Sequence, residues 1–224
     1  MSTPYTAPVI RPELEDPMDY LPRKVLVEHK KGETIYTEAS PATHIFLVLK
    51  GAVCTIRRCD SEDKEIVQVY GPDEFFSESS LLNLNGHLER AIALQPTHTM
   101  AWTTEEIEAL IMRQPKLGIA LMQALLRHSL ELQESLHSFA FEKTMERTAR
   151  LMLRLCSRFG EKLEDGTVRL PAFTQELLGK CVGTSREIIT LNMNELRRQG
   201  YVRYSRKNIF VYEDALKENY HLAK

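Results

Sequence analysis

Between residues 174 and 212 the chain carries small polar residues and glycines at spacings that would hold hydrogen-bonding side chains on an exposed helix. Thr174 is a suitable N-cap for a short helix over 175–181, whose Leu177, Leu178 and Cys181 lie on one face. Val182 and Gly183 supply a tight turn. Thr184 and Glu187 then form a T-x-x-E capping box, which predicts a second helix opening at Thr184 with Ile188, Leu191 and Leu196 as its buried stripe. Gly200 stops that helix, and YVRYSRKNIFVY (201–212) reads as two β runs around the polar turn Ser205, Arg206, Lys207, Asn208. Helix, glycine turn, helix and wing together let a helix enter the DNA major groove, so the chemistry offered is hydrogen bonding to bases and phosphates.

Other chemistries find less support. Cys54, Cys59, Cys156 and Cys181 are scattered without a C-x-x-C pair, which fits neither a zinc ribbon nor a disulfide framework. Cys54 and Cys59 on or near a strand read as a redox pair or, more commonly, as buried structural thiols. No nucleophile elbow, P-loop, metal-ligand pair at helical spacing or convergent carboxylate pair is present, so neither an enzyme nor a metal site is expected. A protein-interaction module that uses the helix-turn-helix for docking remains a competitor. Charge separates the two readings. The net charge is only −2, but residues 143–212 hold fourteen Lys or Arg against seven Asp or Glu, leaving fifteen basic and twenty-four acidic residues elsewhere. A basic C-terminal third on an acidic body favours nucleic acid.

The elements that must position this unit can be read outward from it. Residues 1–20, with Pro4, Pro8, Pro12 and Pro17, cannot build a helix or sheet of their own and are expected to form a flexible arm. Residues 21–113 are punctuated by short β-type runs (44–49, 52–58, 65–70) with Gly32, Gly51, Gly71 and Gly86 near their ends, which predicts a small antiparallel roll and then a helix over 104–112 capped by Thr103 or Thr104. Residues 114–142 hold one long helix, beginning after Pro115. In it Met122, Leu125, Ser129, Leu132, Leu136 and Phe139 recur at alternating spacings of three and four, the seam of a two-stranded coiled coil or a stripe packed on the chain's own β domain. Residues 143–224 contain a helix over 147–159, a hairpin turn at Asp165 and Gly166, and the unit above, completing an α+β chain. No apolar run is long enough to span a membrane and the N-terminus has no signal-peptide pattern, so the expected location is cytoplasmic.

The stretch FTQELLGKCVGTSREIITLNMNELRRQGYV (173–202) resembles the helix-turn-helix of the cyclic AMP receptor protein and fumarate-nitrate regulator (CRP/FNR) superfamily. The resemblance extends over nearly the whole chain, through residues 51–53, FFSESSLL (75–82), the long helix and the GTSRE start of the second helix. It implies a bacterial transcription regulator with a cyclic-nucleotide-binding-like β-roll, a dimerisation helix and a winged helix-turn-helix. Arg186 and Glu187 then read base edges, Arg to guanine O6 and N7 and Glu to cytosine N4; Glu187 as a plain capping residue is the bland alternative. Leu191 stands where the family has a further reading Arg, leaving Thr190 and Asn192 as substitutes. Thr174, Ser185, Arg197, Arg198, Arg206 and Lys207 are candidates for phosphate contacts. The resemblance also implies a homodimer on double-stranded DNA, with half-sites about 34 Å apart in a palindromic operator, and RNA polymerase as a partner.

For the effector, the resemblance implies a pocket formed by Ser77, Glu78, Ser79, Arg90, Ala91, Leu132 and Gln133. Glu78 matches the ribose-binding carboxylate and Arg90 the phosphate-binding guanidinium. Ser77 replaces a glycine, Ala91 a phosphate-contacting hydroxyl, and Leu132 and Gln133 the Thr and Ser that face adenine, so the cyclic-nucleotide cassette is degenerate. An Arg90–Glu78 ion pair closing the roll as structure alone is the alternative. No cysteine precedes Cys54, which argues against an iron-sulfur cluster, and no spacing singles out His44, His87, His98 or Met100 as a haem ligand. A ligand-independent regulator is a serious variant.

Overall fold

The structure, a computed structural model, describes residues 14–40, 43–58, 65–82, 89–205 and 207–220. Eight strands form the N-terminal β-roll: β1 (Val27–His29), β2 (Thr34–Tyr36), β3 (His44–Lys50), β4 (Val53–Arg58), β5 (Glu65–Tyr70), β6 (Phe75–Phe76), β7 (Glu89–Ala93) and β8 (Thr97–Thr103). They pair antiparallel in two four-stranded sheets, ordered β1-β8-β3-β6 and β2-β7-β4-β5. Alternation drives this, because successive strand residues face opposite sides and the inward set is apolar. Tyr36, Val48, Val53, Tyr70, Phe76 and Ala91 fill one part of the interior, where the rings of Phe46 and Phe76 stack 5.0 Å apart.

A second core cluster ties the roll to its helices. Ile45, Leu47 and Trp102 pack on Ile107 of α1 (Thr104–Arg113) and on Leu117 and Leu121 of α2 (Pro115–Phe141). Each such fully buried side chain contributes about 1.5–3 kcal/mol of hydrophobic stabilisation. Trp102 also donates its indole N–H to the Pro22 carbonyl at 3.0 Å. Thr103 caps α1 in a reciprocal capping box with Glu106. The expected free arm needs correction at its end. Residues 17–19 form a 3₁₀ turn, the Glu15 N–H donates to Gln123 of α2 at 2.9 Å, and Met18 and Tyr20 pack on the same core.

The C-terminal domain comprises α3 (Thr144–Phe159), β9 (Glu161–Lys162), β10 (Val168–Pro171), α4 (Gln175–Val182), α5 (Arg186–Arg198), β11 (Val202–Tyr204), β12 (Asn208–Val211) and α6 (Glu213–Asn219). Its sheet runs β11-β12-β10-β9. α3 starts three residues earlier than the sequence pattern suggests, because Glu146 reaches back to the Lys143 N–H at 2.8 Å and opens the helix there. Met152, Leu170, Leu178, Ile189, Met193 and Leu196 form the core. Among the described residues no helix is long and apolar enough to cross a membrane, and no group of three or more His, Cys, Asp or Glu is placed to hold a metal ion.

Candidate nucleic-acid interface and effector site

α4 ends at Gly183, which adopts a left-handed φ of 68°. The Thr184 N–H then bonds back to the Gly179 carbonyl at 2.9 Å, so Thr184 belongs to the closure of α4 and cannot open the next helix. Ser185 is the N-cap of α5, its hydroxyl accepting from the Ile188 N–H. This shift by one residue corrects the expected stripe. Ile189, Met193 and Leu196 are buried, whereas Ile188 is 40% and Leu191 68% exposed. The turn is also sterically closed. A methyl group at Gly183 would lie 2.3 Å from Cε1 of Phe139, near the end of α2.

The outer edge of α5 presents Arg186, Glu187, Leu191 and Asn194 to solvent, with Thr190 half-buried between them. The Ser185 hydroxyl, first, holds the Glu187 carboxyl below the usual carboxylate range. Glu187 is not the capping-box partner expected of it, since it occupies the second position of a helix that starts at Arg186. The Thr190 hydroxyl donates to the Arg186 carbonyl at 2.7 Å. Asn192 requires a correction. Its amide donates to Thr148 of α3 at 2.9 Å, which turns it inward and away from the exposed edge. Asn194, exposed on the same edge, was not among the sequence candidates.

Thr174 and Ser185 are exposed and both serve as N-caps. Arg197 and Lys207 are exposed, while Arg198 is already engaged by Glu195 through two hydrogen bonds at 2.8 and 2.9 Å. Arg206 lies outside the described residues.

In the β-roll, Ser77 keeps the backbone conformation expected of a glycine, with φ 67°, and is buried. Ala91 is buried in the wall. The Arg90–Glu78 pair is not formed. Arg90 donates to Glu65 at 3.2 Å, and Glu78 meets Nδ1 of His128 on α2 at 3.2 Å. Each charge has found a nearer partner on β5 or on α2. Glu65 also accepts from Lys180 of α4 at 2.8 Å, so one carboxylate bridges the roll and the C-terminal domain. Ser79 sits in the short 3₁₀ segment Glu78–Leu82, and Leu132 and Gln133 are exposed on α2. His128 was missed in the sequence; it lies one turn before Leu132 on the face turned to the roll. The Glu78 hydrogen bond raises its pKa, against the effect of burial.

A cyclic nucleotide fits these residues poorly. Its phosphate would have to take Arg90 from Glu65, with a methyl group at Ala91 in place of a hydroxyl and a buried hydroxymethyl at Ser77. Cys54 is buried and its thiol is pushed up to about 12 by burial, which suits a structural thiol. Cys59 and His87 lie outside the described residues. His98 pairs with Glu28 at 3.6 Å, and His44 lies beside Thr43 and Phe46.

On α2, Met122, Leu125, Leu126, Leu130, Leu132, Leu136 and Phe139 are all exposed, a continuous apolar flank that includes the predicted seam. Ser129 is exposed among them.

Two family models match: the cyclic nucleotide-binding domain over residues 26–114 and the Crp-like helix-turn-helix domain over residues 146–218. The cyclic AMP receptor protein of Thermus thermophilus is 28% identical, covering 92% of this chain and 91% of its own. The CRP-like cAMP-activated global transcriptional regulator of Mycobacterium tuberculosis is 23% identical, covering 83% of each chain. A solved CRP/FNR-family transcriptional regulator, also from Thermus thermophilus, superposes with a TM-score of 0.70 at 26% identity, over 88% of this chain and 98% of that one. Fold and relatives together define a DNA-binding transcription regulator, not an enzyme. The chain belongs to the CRP/FNR family.

Proposed function

We propose that the protein binds a near-palindromic operator as a homodimer, with α5 of each protomer in successive major grooves. The observation that carries this reading is the outer edge of α5, where Arg186, Glu187 and Asn194 stand free of the apolar face that holds the helix to its domain. Arg186 reads guanine and Glu187 the neighbouring cytosine, Thr190 contributes from the same edge, and Thr174, Ser185, Arg197 and Lys207 hold phosphates. Leu191, exposed where the resemblance expects an Arg, offers an apolar contact to a thymine methyl instead. The exposed flank of α2 supports dimerisation, since an apolar stripe of this length is rarely left to water. RNA polymerase as a partner and a cytoplasmic location follow from the family alone.

The effector reading is that cyclic AMP is not the physiological signal. The engagement of Arg90 by Glu65 and the absence of a hydroxyl at Ala91 support it. Fluorescence anisotropy of a promoter fragment, titrated at fixed salt with and without cyclic AMP, tests both parts. The expected outcome is tight binding that the nucleotide does not change. Arg186→Ala should weaken it by about 1–3 kcal/mol and relax preference at one base pair. A strict requirement for cyclic AMP would overturn the effector reading while leaving the DNA reading in place.

A further inference from the structure

The side of α5 that faces away from its own domain combines two unlike chemistries. Ile189, Met193 and Leu196 bury one side of the helix, and at 3.6 residues per turn Leu191 falls on the opposite side. It is 68% exposed, and Ile188, three residues before it, is 40% exposed. Glu187, four residues before Leu191, is exposed as well. Residues three and four apart on a helix stand about 5–6 Å from one another. One carboxylate and two bulky aliphatic side chains therefore share a patch one helical turn long.

A single exposed leucine is ordinary on a protein surface. Two adjoining aliphatics in the middle of a reading edge that otherwise holds Arg186, Glu187, Thr190 and Asn194 call for an apolar counterpart. Across the major groove the base edges present hydrogen-bond donors and acceptors, and the apolar exception is the methyl on C5 of a pyrimidine. Thr190 adds to the same bias, because its hydroxyl hydrogen is committed to the Arg186 carbonyl at 2.7 Å. Glu187 narrows the choice further. Its carboxylate accepts from the N4 amino group of cytosine and is repelled by O4 of thymine. The C4 and C5 substituents of a pyrimidine are neighbours, so the base that offers an amino group and a methyl side by side is 5-methylcytosine. In unmodified DNA a cytosine with a thymine beside it supplies the same two groups.

We propose that Ile188 and Leu191 recognise the C5-methyl of a pyrimidine whichever base carries it, so that cytosine-5 methylation of the operator strengthens binding as a thymine does. The proposal rests on α5 being the helix that reads DNA. It gives the regulator an input written on the DNA itself, independent of any occupant of the β-roll. One methyl taken from water between these two side chains is worth about fourfold in affinity per half-site.

The full-length protein first selects its operator from a random duplex pool, and each dT of one enriched half-site is then replaced by dU, which removes the methyl alone. Affinities are read by anisotropy at fixed salt. One dT, within a base pair of the cytosine read by Glu187, is expected to lose about fourfold on replacement. With a dC·dG pair at that position, 5-methyl-dC is expected to bind about fourfold more tightly than dC. Leu191→Ala combined with Ile188→Ala should bind dT and dU equally, whereas Arg186→Ala, weaker overall, should keep the dT to dU ratio. The dU and 5-methyl-dC arms use the parent protein, so they decide the matter even if the double variant fails to fold. The proposal is overturned if every dT of the half-site binds as its dU counterpart does, if 5-methyl-dC binds no better than dC, or if the double variant keeps the ratio. A pool in which no sequence is enriched overturns the DNA reading of α5 as well, a result distinct from enrichment without a methyl effect.

Discussion

Ser77 holds a left-handed φ of 67°, a conformation that costs a side-chain-bearing residue about 1–3 kcal/mol. Ser77→Gly should therefore raise stability by a net of about 1 kcal/mol, after the greater unfolded-state freedom of glycine is subtracted. Urea unfolding at constant m-value measures it; a fall in midpoint would show that the Ser77 hydroxyl beside Tyr36 outweighs the strain. The special character of position 77 was visible in the sequence, as a serine where the resembled family keeps glycine. The phase of α5 was not. Thr184 and Ser185 are both competent caps, and the choice between them rests on the Thr184 N–H bonding back to Gly179, a contact that depends on how α4 ends. From that one-residue error came the misplaced Ile188 and Leu191; Asn192 was named instead as a substitute for the Arg that Leu191 replaces, and it turns inward, while the exposed Asn194 was not considered.

At the scale of the element, α2 shows how far periodicity reaches. Spacing alone marked Met122, Leu125, Ser129, Leu132, Leu136 and Phe139 as one stripe. In the folded chain Leu125, Leu132, Leu136 and Phe139 line a cleft between α2 and β5 as well as the outer flank, while Leu126 and Leu130 extend the flank beyond the stripe. A 3.6-residue pattern shows that a face is apolar, but not which of two partners it faces. Met122 and Leu126, 54% and 56% exposed, touch neither the cleft nor the core. Met122→Lys combined with Leu126→Lys should leave the circular dichroism spectrum unchanged and convert the dimer to a monomer in light scattering. A variant that stays dimeric would place the interface elsewhere.

Across the whole molecule, the order of domains was legible because each announces itself locally, through strand alternation, a long uninterrupted helix, and caps and turns. The contacts that join the domains were not, because they pair residues far apart in the chain. Arg158 of α3 donates to the Val69 carbonyl at 2.7 Å and binds Glu74 of the roll at 2.9 Å, and Glu65 is shared by Arg90 and Lys180. His128 belongs to this set. Its pKa is raised by Glu78, so the pair adds stability that is complete below the ordinary histidine value of about 6.5 and is lost as pH rises through the raised value. Melting temperature followed from pH 6 to pH 8.5 should fall more steeply for the parent than for His128→Gln; equal slopes would dismiss the pair as a source of pH dependence.

The close approach of Phe139 to Gly183 has a mechanical consequence. The 27 residues of α2 make a rod about 40 Å long, anchored at one end in the β-roll core and pressed at the other against the turn that aims α5. With no space for even a methyl group between ring and turn, sideways travel of the rod's tip cannot be absorbed there. A tilt of about 5° about the anchored end moves Phe139 by about 3 Å. Successive phosphates of one DNA strand are offset by about 3.4 Å along the helix axis. A shift of that size at the turn is comparable to the axial offset of one base pair.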